Sequence, residues 1–356
     1  MRRSFARVIA LTLAALVLPV TMIAGSATAA SAKGGTIKLR SATLYGSGST
    51  FQLGFDQLVI SEFRKIQKAV TINYAGGGSG KGRQDFTDQV ADFAGTDGLF
   101  KATDPAPKGG LYFYFPTVAA PITVSYNLSG VKKLQLSAET IAKIFSAQIT
   151  TWDDPTIKAD NPAAKLPSTT ITVAHRSDSS GTTQNFTSFL VKAAGPAWTL
   201  GTGSTVQWPA NTQGASGNTG VAKIVQDTDG AIGYVDFSDA NALRLTFAAI
   251  KNASGKFVVP TIAAASAALA GTTINANLSY DPINAAGAKA YPITSPTWVL
   301  VYQNQTDKAK GAAIVAFLNF IYADGQKLAT TIDYAPLPKA LLKQAKAQVA
   351  KIVVPA

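Results

Sequence analysis

The chain has 356 residues, a formal charge of +12, one histidine and no cysteine. Without cysteine there is no disulfide framework, thiolate chemistry or lipid-anchored N-terminal cysteine, and the usual zinc sites are excluded. The positive charge admits nucleic acid, an anionic membrane or a small anion as partner. The lysines (Lys132-Lys133, Lys143, Lys158, Lys343, Lys346) are scattered and do not alternate with aromatics, which argues against nucleic acid.

Residues 1–30 read as a secretory signal peptide. Arg2, Arg3 and Arg7 form the basic start, Val8 to Ile23 is mostly apolar, and Ala27-Thr28-Ala29 offers cleavage near Ala29/Ala30. Arg2-Arg3-Ser4-Phe5 also fits a twin-arginine signal loosely, so both export routes stay open. No later apolar run reaches the roughly 18–20 residues needed to span a bilayer. About 325 residues remain, enough for two domains.

Ser41–Leu44 is a short strand running into a loop, Gly46-Ser47-Gly48-Ser49-Thr50-Phe51. Phe51, Phe55, Leu58, Val59, Phe63 and Ile66 follow at helical spacing. Val70–Tyr74 is the next strand, then Gly76-Gly77-Gly78-Ser79-Gly80 and a helix to about Val90. Asp92 to Asp97 reads as a buried strand with a polar tip. Strand–loop–helix repeats of this kind predict an α/β fold with ligand loops at strand C-termini.

Phe113–Val118 and Pro121–Tyr126 form an apolar pair broken by proline, and Tyr291–Val301 has the same character. We read these as two passages between domains, giving 37–118 plus 295–356 as one domain and 119–294 as the other. Within the second, Ser137–Phe145 and Thr183–Lys192 are expected helices, and Ile171–Ala174 and Ala231–Val235 expected strands. Ala263–Gly271 reads as a helix or a loose segment. Lys308–Tyr322 and Leu337–Ile352 close the chain as helices.

The chemistry concentrates in three Gly/Ser/Thr loops ahead of helices, the third being Arg176-Ser177-Asp178-Ser179-Ser180-Gly181-Thr182. A helix N-terminus carries unpaired N–H groups and partial positive charge, so it binds anions. Arg176 can hold an oxyanion bidentately, with Asp178 orienting its guanidinium. Each loop taken alone equally describes a capped turn. The glycine loop is no Walker motif, because Ala75 and Gly82 stand where Gly and Ser/Thr are required.

Asp97 beside an anion is repulsive unless a proton lies between them. A protonated phosphate can supply that proton and fully ionised sulfate cannot. His175 adjoins Arg176, and strand alternation sends the two side chains to opposite faces, which disfavours a Ser–His pair. Asp153-Asp154 before Pro155 reads as a turn rather than a metal site. No catalytic, metal or cofactor constellation is evident.

The ordered series Gly46–Phe51, Asn73–Gly80, Val90–Asp97, Phe115–Val118, Trp152–Asp154, Arg176–Thr182, Gly201–Pro209, Gly230–Val235, Tyr291–Thr294 and Asp333–Pro338 resembles the periplasmic phosphate-binding proteins of bacterial ABC uptake systems, the PstS family. The resemblance implies a two-domain periplasmic-binding-protein fold of type II with a two-segment hinge, closing on phosphate. It implies donors from Thr50, Phe51 and Ser79, and Asp97 as acceptor of the phosphate proton. Arg176 would pair with the anion, held by Asp178, while Ser180, Gly181 and Thr182 complete the cradle. A monomeric, non-enzymatic periplasmic carrier serving an inner-membrane ABC permease follows. Gln52 departs from the family pattern where proline is common, and Lys81 where a small residue is frequent. Carriers of sulfate, molybdate or arsenate, a secreted phosphatase, or an adhesin on the same fold remain alternatives.

Overall fold

The computed structural model describes residues 39–356, so the expected signal peptide at 1–30 lies outside the described residues. Strand β1 (Ala42–Gly48) leads through a tight turn into helix α1 (Leu53–Ile66), whose Phe55, Val59 and Phe63 are buried at helical spacing. Phe63 packs edge-on against Phe317 at 5.3 Å. Next come β2 (Val70–Gly76), α2 (Ser79–Thr87), β3 (Phe93–Thr96) and β4 (Tyr112–Tyr126). The α2 helix stops at Thr87, short of the expected Val90, and all four residues of β3 are buried.

The middle of the chain continues with β5 (Gln135–Leu136), α3 (Ala138–Phe145), α4 (Pro155–Asp160), β6 (Thr172–Arg176) and α5 (Gly181–Ala193). Asp154, read from sequence as a turn residue, caps α4 by accepting from Thr156 N at 2.7 Å. Then follow β7 (Gln213–Ala215), α6 (Gly217–Asp227), β8 (Ala231–Asp236), α7 (Phe237–Ala242), β9 (Thr246–Phe247), β10 (Ala249–Lys251), β11 (Phe257–Val258) and α8 (Ile262–Leu269). The alanine-rich stretch is thus a helix, capped by Thr261. The chain returns through β12 (Thr294–Tyr302), α9 (Lys308–Phe320), α10 (Gln326–Leu328) and α11 (Lys339–Val349).

One sheet runs β2-β1-β3-β12-β4-β8-β6-β7, with β9 also on β4, and β11-β10-β5 form a small separate sheet. Strand β4 holds the large sheet together. From Tyr112 to Pro121 it pairs antiparallel with β12, and from Ile122 to Tyr126 with β8. The sequence suggested an interruption at its prolines, but the strand is continuous. Pro121 sits where the pairing partner changes, and Pro116 lies opposite Trp298 beside a bulge at Pro296/Trp298. Proline's missing N–H is tolerated at such irregular positions. The middle segment therefore joins the flanking segments through two adjacent buried strands.

Parallel pairing places the C-terminal ends of β1 and β2 side by side, and likewise those of β6 and β7. Each of the four loops that follow β1, β2, β6 and β7 opens a helix, as the strand-end rule for open α/β sheets requires. Gly48 makes the first of these turns possible. Its φ is 132°, and a Cβ there would lie 2.1 Å from the Gly95 carbonyl oxygen. Its own carbonyl accepts from Gly77 N and Gly78 N at 2.9 and 2.8 Å, tying the first loop to the second. Gly48→Ala should therefore cost at least ~1–3 kcal/mol of folding stability. Denaturant unfolding checks this, and an unchanged midpoint would contradict the close approach.

Candidate functional site

Asp97 follows β3 and is 2% exposed. Ser49 Oγ donates to its Oδ1 at 2.5 Å, and Ser79 Oγ donates to its Oδ2 at 3.1 Å. Ser49 Oγ also accepts from Phe51 N at 3.0 Å within the turn ahead of α1, while Ser79 accepts from Asp97 N at 3.1 Å. One carboxylate thereby gathers the first two helix-opening loops. A carboxylate offers about four lone-pair directions, so room for a further donor remains.

The third loop meets the same carboxylate from the middle segment. A Cβ on Gly181 would lie 2.4 Å from Ser79 Oγ and 2.7 Å from the Asp97 side chain, so no larger residue fits without displacement. Gly80 N donates to Ser179 O at 2.9 Å, closing the contact between the loops. Ser180 Oγ accepts from Thr183 N at 3.1 Å and caps α5, which leaves its hydroxyl proton free for another acceptor.

Arg176 ends β6 and is 3% exposed. Its Nε donates to Asp178 Oδ1 at 2.6 Å, its Nη2 pairs with Asp178 Oδ2, and its Nη1 lies 3.5 Å from Thr182 Oγ1. This fork leaves guanidinium donors toward the α5 N-terminus. Burial alone would raise the Asp178 carboxyl, but the Arg176 bonds and charge, with the Gly217 N–H, bring it below the ordinary carboxylate range. His175 points away: its ring stacks on Trp208 at 4.9 Å, and burial lowers its basicity. No proton acceptor of the histidine type faces the serines.

Two residues that the sequence reading missed complete the arrangement. Asn218, in the first turn of α6, is fully buried and donates from Nδ2 to Thr50 Oγ1 at 3.1 Å and to Thr182 Oγ1 at 3.2 Å. It joins the first and third loops. The signal was present, because Gly214-Ala215-Ser216-Gly217 is a fourth small-residue loop before a helix. Asn185, on α5, donates from Nδ2 to Asp97 O at 2.7 Å and to Ser295 Oγ on β12 at 2.8 Å. All of Thr50, Phe51, Ser79, Asp97, Arg176, Asp178, Ser180, Gly181 and Thr182 thus fall in one cluster. Lys81 instead projects outward and pairs with Asp85, so it adds no charge to the cluster.

The electrostatics are those of a partly compensated buried site. Burial pushes the Asp97 carboxyl up to about 6, opposed by the Ser49 and Ser79 hydrogen bonds and by Arg176 and Arg83. Behind it, Asp56 is 2% exposed, and burial followed by the Asp97 charge holds its carboxyl well above the ordinary range. Gln52 is fully buried and accepts from Thr117 Oγ1 at 3.2 Å and from Thr297 Oγ1. Four helix N-termini, several hydroxyls and a guanidinium suit a small tetrahedral oxyanion. Among the described residues, no group of His, Cys, Asp or Glu could hold a metal ion.

Known proteins share this sequence and this architecture. A sequence model of the PBP superfamily domain matches residues 26–325. The phosphate-binding protein PstS of Xylella fastidiosa is 33% identical over 317 residues, covering 86% of this chain and 85% of that protein. PstS of Methanocaldococcus jannaschii is 36% identical, covering 88% and 87%, and PstS 3 of Mycobacterium tuberculosis is 36% identical, covering 83% of each. Among solved structures, a high-affinity periplasmic phosphate-binding protein with bound phosphate superposes with a TM-score of 0.70 at 24% identity, covering 86% of this chain and 93% of that one. A putative phosphate ABC transporter substrate-binding protein from Clostridium perfringens, also with phosphate, gives 0.60 at 18% identity, covering 83% and 100%. At these identities the structural likeness establishes the fold.

The Asp97 environment makes stability depend on pH. Its carboxyl rises from the ordinary 3.8 to about 6 on folding, so its contribution is fully present at low pH and is lost as pH climbs through that interval. Ligand-free Asp97→Asn should gain about 3 kcal/mol relative to the parent between the two values, then level off. Chemical unfolding across that range measures the difference. A constant gap would show that Asp97 is not held in this state.

Proposed function

Because the chain belongs to the PstS family of phosphate-binding proteins and has the type II periplasmic-binding-protein fold, we propose that it binds inorganic phosphate for import by an ABC transporter. The observation that carries the ligand is Asp97: a single buried acceptor set among donors from four helix ends. Phosphate near neutral pH retains a proton for that acceptor, whereas sulfate would present a lone pair to it. The protein acts as a binder rather than an enzyme, in keeping with the transport names of its relatives.

Thr50, Phe51, Ser79, Ser180, Gly181 and Thr182 supply donors in this reading. Arg176, fixed by Asp178, supplies charge. Asn218 orients the Thr50 and Thr182 hydroxyls. Segments 37–118 plus 295–356 and segment 119–294 form the two lobes, with β4 and β12 as the hinge. Opening about those strands would separate Gly181 from Ser79 and Asp97 and return the anion to water. The protein works as an exported periplasmic monomer that hands phosphate to an inner-membrane permease.

Titration calorimetry on protein stripped of co-purified anion tests the proposal. Phosphate should bind and sulfate should not compete; sulfate binding as tight as phosphate defeats the Asp97 argument. Arg176→Ala should weaken phosphate binding by ~2–5 kcal/mol, since it removes one member of a buried charged contact. Asp97→Asn should bring sulfate and phosphate affinities together, because an amide can donate to a fully ionised oxygen. Sustained phosphate release from a phosphomonoester by pure protein would replace the carrier reading with a hydrolytic one.

A further inference from the structure

A second buried guanidinium stands behind the site. Arg83, on α2, is 8% exposed, and α2 is the helix opened by Ser79. Its Nη1 donates to Thr96 Oγ1 at 3.0 Å and lies 3.4 Å from Gly98 O. Those two residues are the chain neighbours of Asp97 on either side. Thr96 Oγ1 in turn donates to Gly98 O at 2.6 Å and accepts from Gly98 N at 3.2 Å, so one hydroxyl and one guanidinium fix the whole turn. The ring of Phe100 covers the guanidinium at 6.0 Å.

Unlike Arg176, Arg83 has no carboxylate in a salt bridge among the described residues. Burial lowers its basicity, opposed by the more distant charges of Asp104, Tyr114 and Asp97. A buried charge without a direct counterion is costly, so its persistence needs a compensating role. The charged and titratable groups around Asp97 are Arg176 from β6, Arg83 from α2, Asp56 from α1 and Tyr74 from β2. Arg176 is paired with Asp178, and burial followed by the Asp97 charge raises the Asp56 carboxyl. Arg83 thus differs from Arg176 in having no carboxylate in direct contact, and its charge acts on Asp97 in addition to that of Arg176.

We propose that Arg83 is a specificity-determining positioning residue, clamping the Thr96–Gly98 turn and supplying a fixed positive charge that keeps Asp97 an acceptor rather than a donor. An ionised Asp97 rejects a fully deprotonated oxyanion, while a protonated Asp97 would donate to it. Arg83 thereby lowers the pH below which the site loses its preference for a protonated anion. This rests on the phosphate reading given above, and it concerns a residue that does not touch the ligand.

The test compares the parent with Arg83→Lys, Arg83→Met and Arg83→Gln. The phosphate-over-sulfate preference is followed by calorimetry across the acid-to-neutral range, and the Asp97 carboxyl of ligand-free protein by carbon NMR, assigned with Asp97→Asn. In the neutral variants the preference should collapse at higher pH, losing about tenfold or more at neutrality, with Asp97 titrating higher. Arg83→Lys should restore both midpoints towards the parent. Two neutral variants guard against one failing to fold. A folded neutral variant with both parental midpoints overturns the proposal, as does a lysine variant shifted as far as the neutral ones. If the parent binds no phosphate, the functional reading falls, while the Asp97 titration still decides the role of Arg83.

Discussion

Everything in the site is organised by one ionisable carboxyl kept from water. Asp97 takes hydrogen bonds from Ser49 and Ser79, leaves no room for a Cβ at Gly181 and lends its carbonyl to Asn185. Burying such a group unpaired would cost several kcal/mol, and here each oxygen has a partner supplied by a different loop. The geometry of the loops follows. Ser49 can reach Asp97 because Gly48 turns β1 sharply into α1, and Ser79 because Gly77 and Gly78 bond back to Gly48. The requirement to satisfy one acceptor thus sets the mutual placement of three helix ends.

Much of this was legible in the sequence because it is locally encoded. Strand–loop–helix repeats announce themselves by apolar spacing and by glycine and serine at the turn, which is why the loops at Gly46, Gly76 and Arg176 could be found. The fourth loop escaped because β7 is three residues long at the sheet edge, and Gln213-Gly214-Ala215 has no apolar alternation to mark it. Asn185 escaped for a different reason. It sits within a helix, and its partners lie 88 and 110 positions away, where no local pattern can point.

Prolines in β4 misled the reading in an instructive way. Pro116 and Pro121 read as breaks, yet the strand is continuous because each occupies a position where ladder bonding is already irregular. The sequence did show that the two passages, Phe113–Tyr126 and Tyr291–Val301, share a character. The reason is now physical: both are buried neighbours in the same sheet, and β4 alone serves both halves of it.

Gln52 ties together three stretches that are far apart in the chain. Its side-chain oxygen accepts hydroxyls from Thr117 on β4 and Thr297 on β12, while its backbone belongs to the turn that opens α1. Replacing Gln52 by proline would take this acceptor from both hydroxyls at once and leave Thr117 Oγ1 only the Thr297 carbonyl at 3.3 Å. Positions 52, 117 and 297 are therefore energetically coupled despite their separation along the chain, so substitutions at them should not add independently.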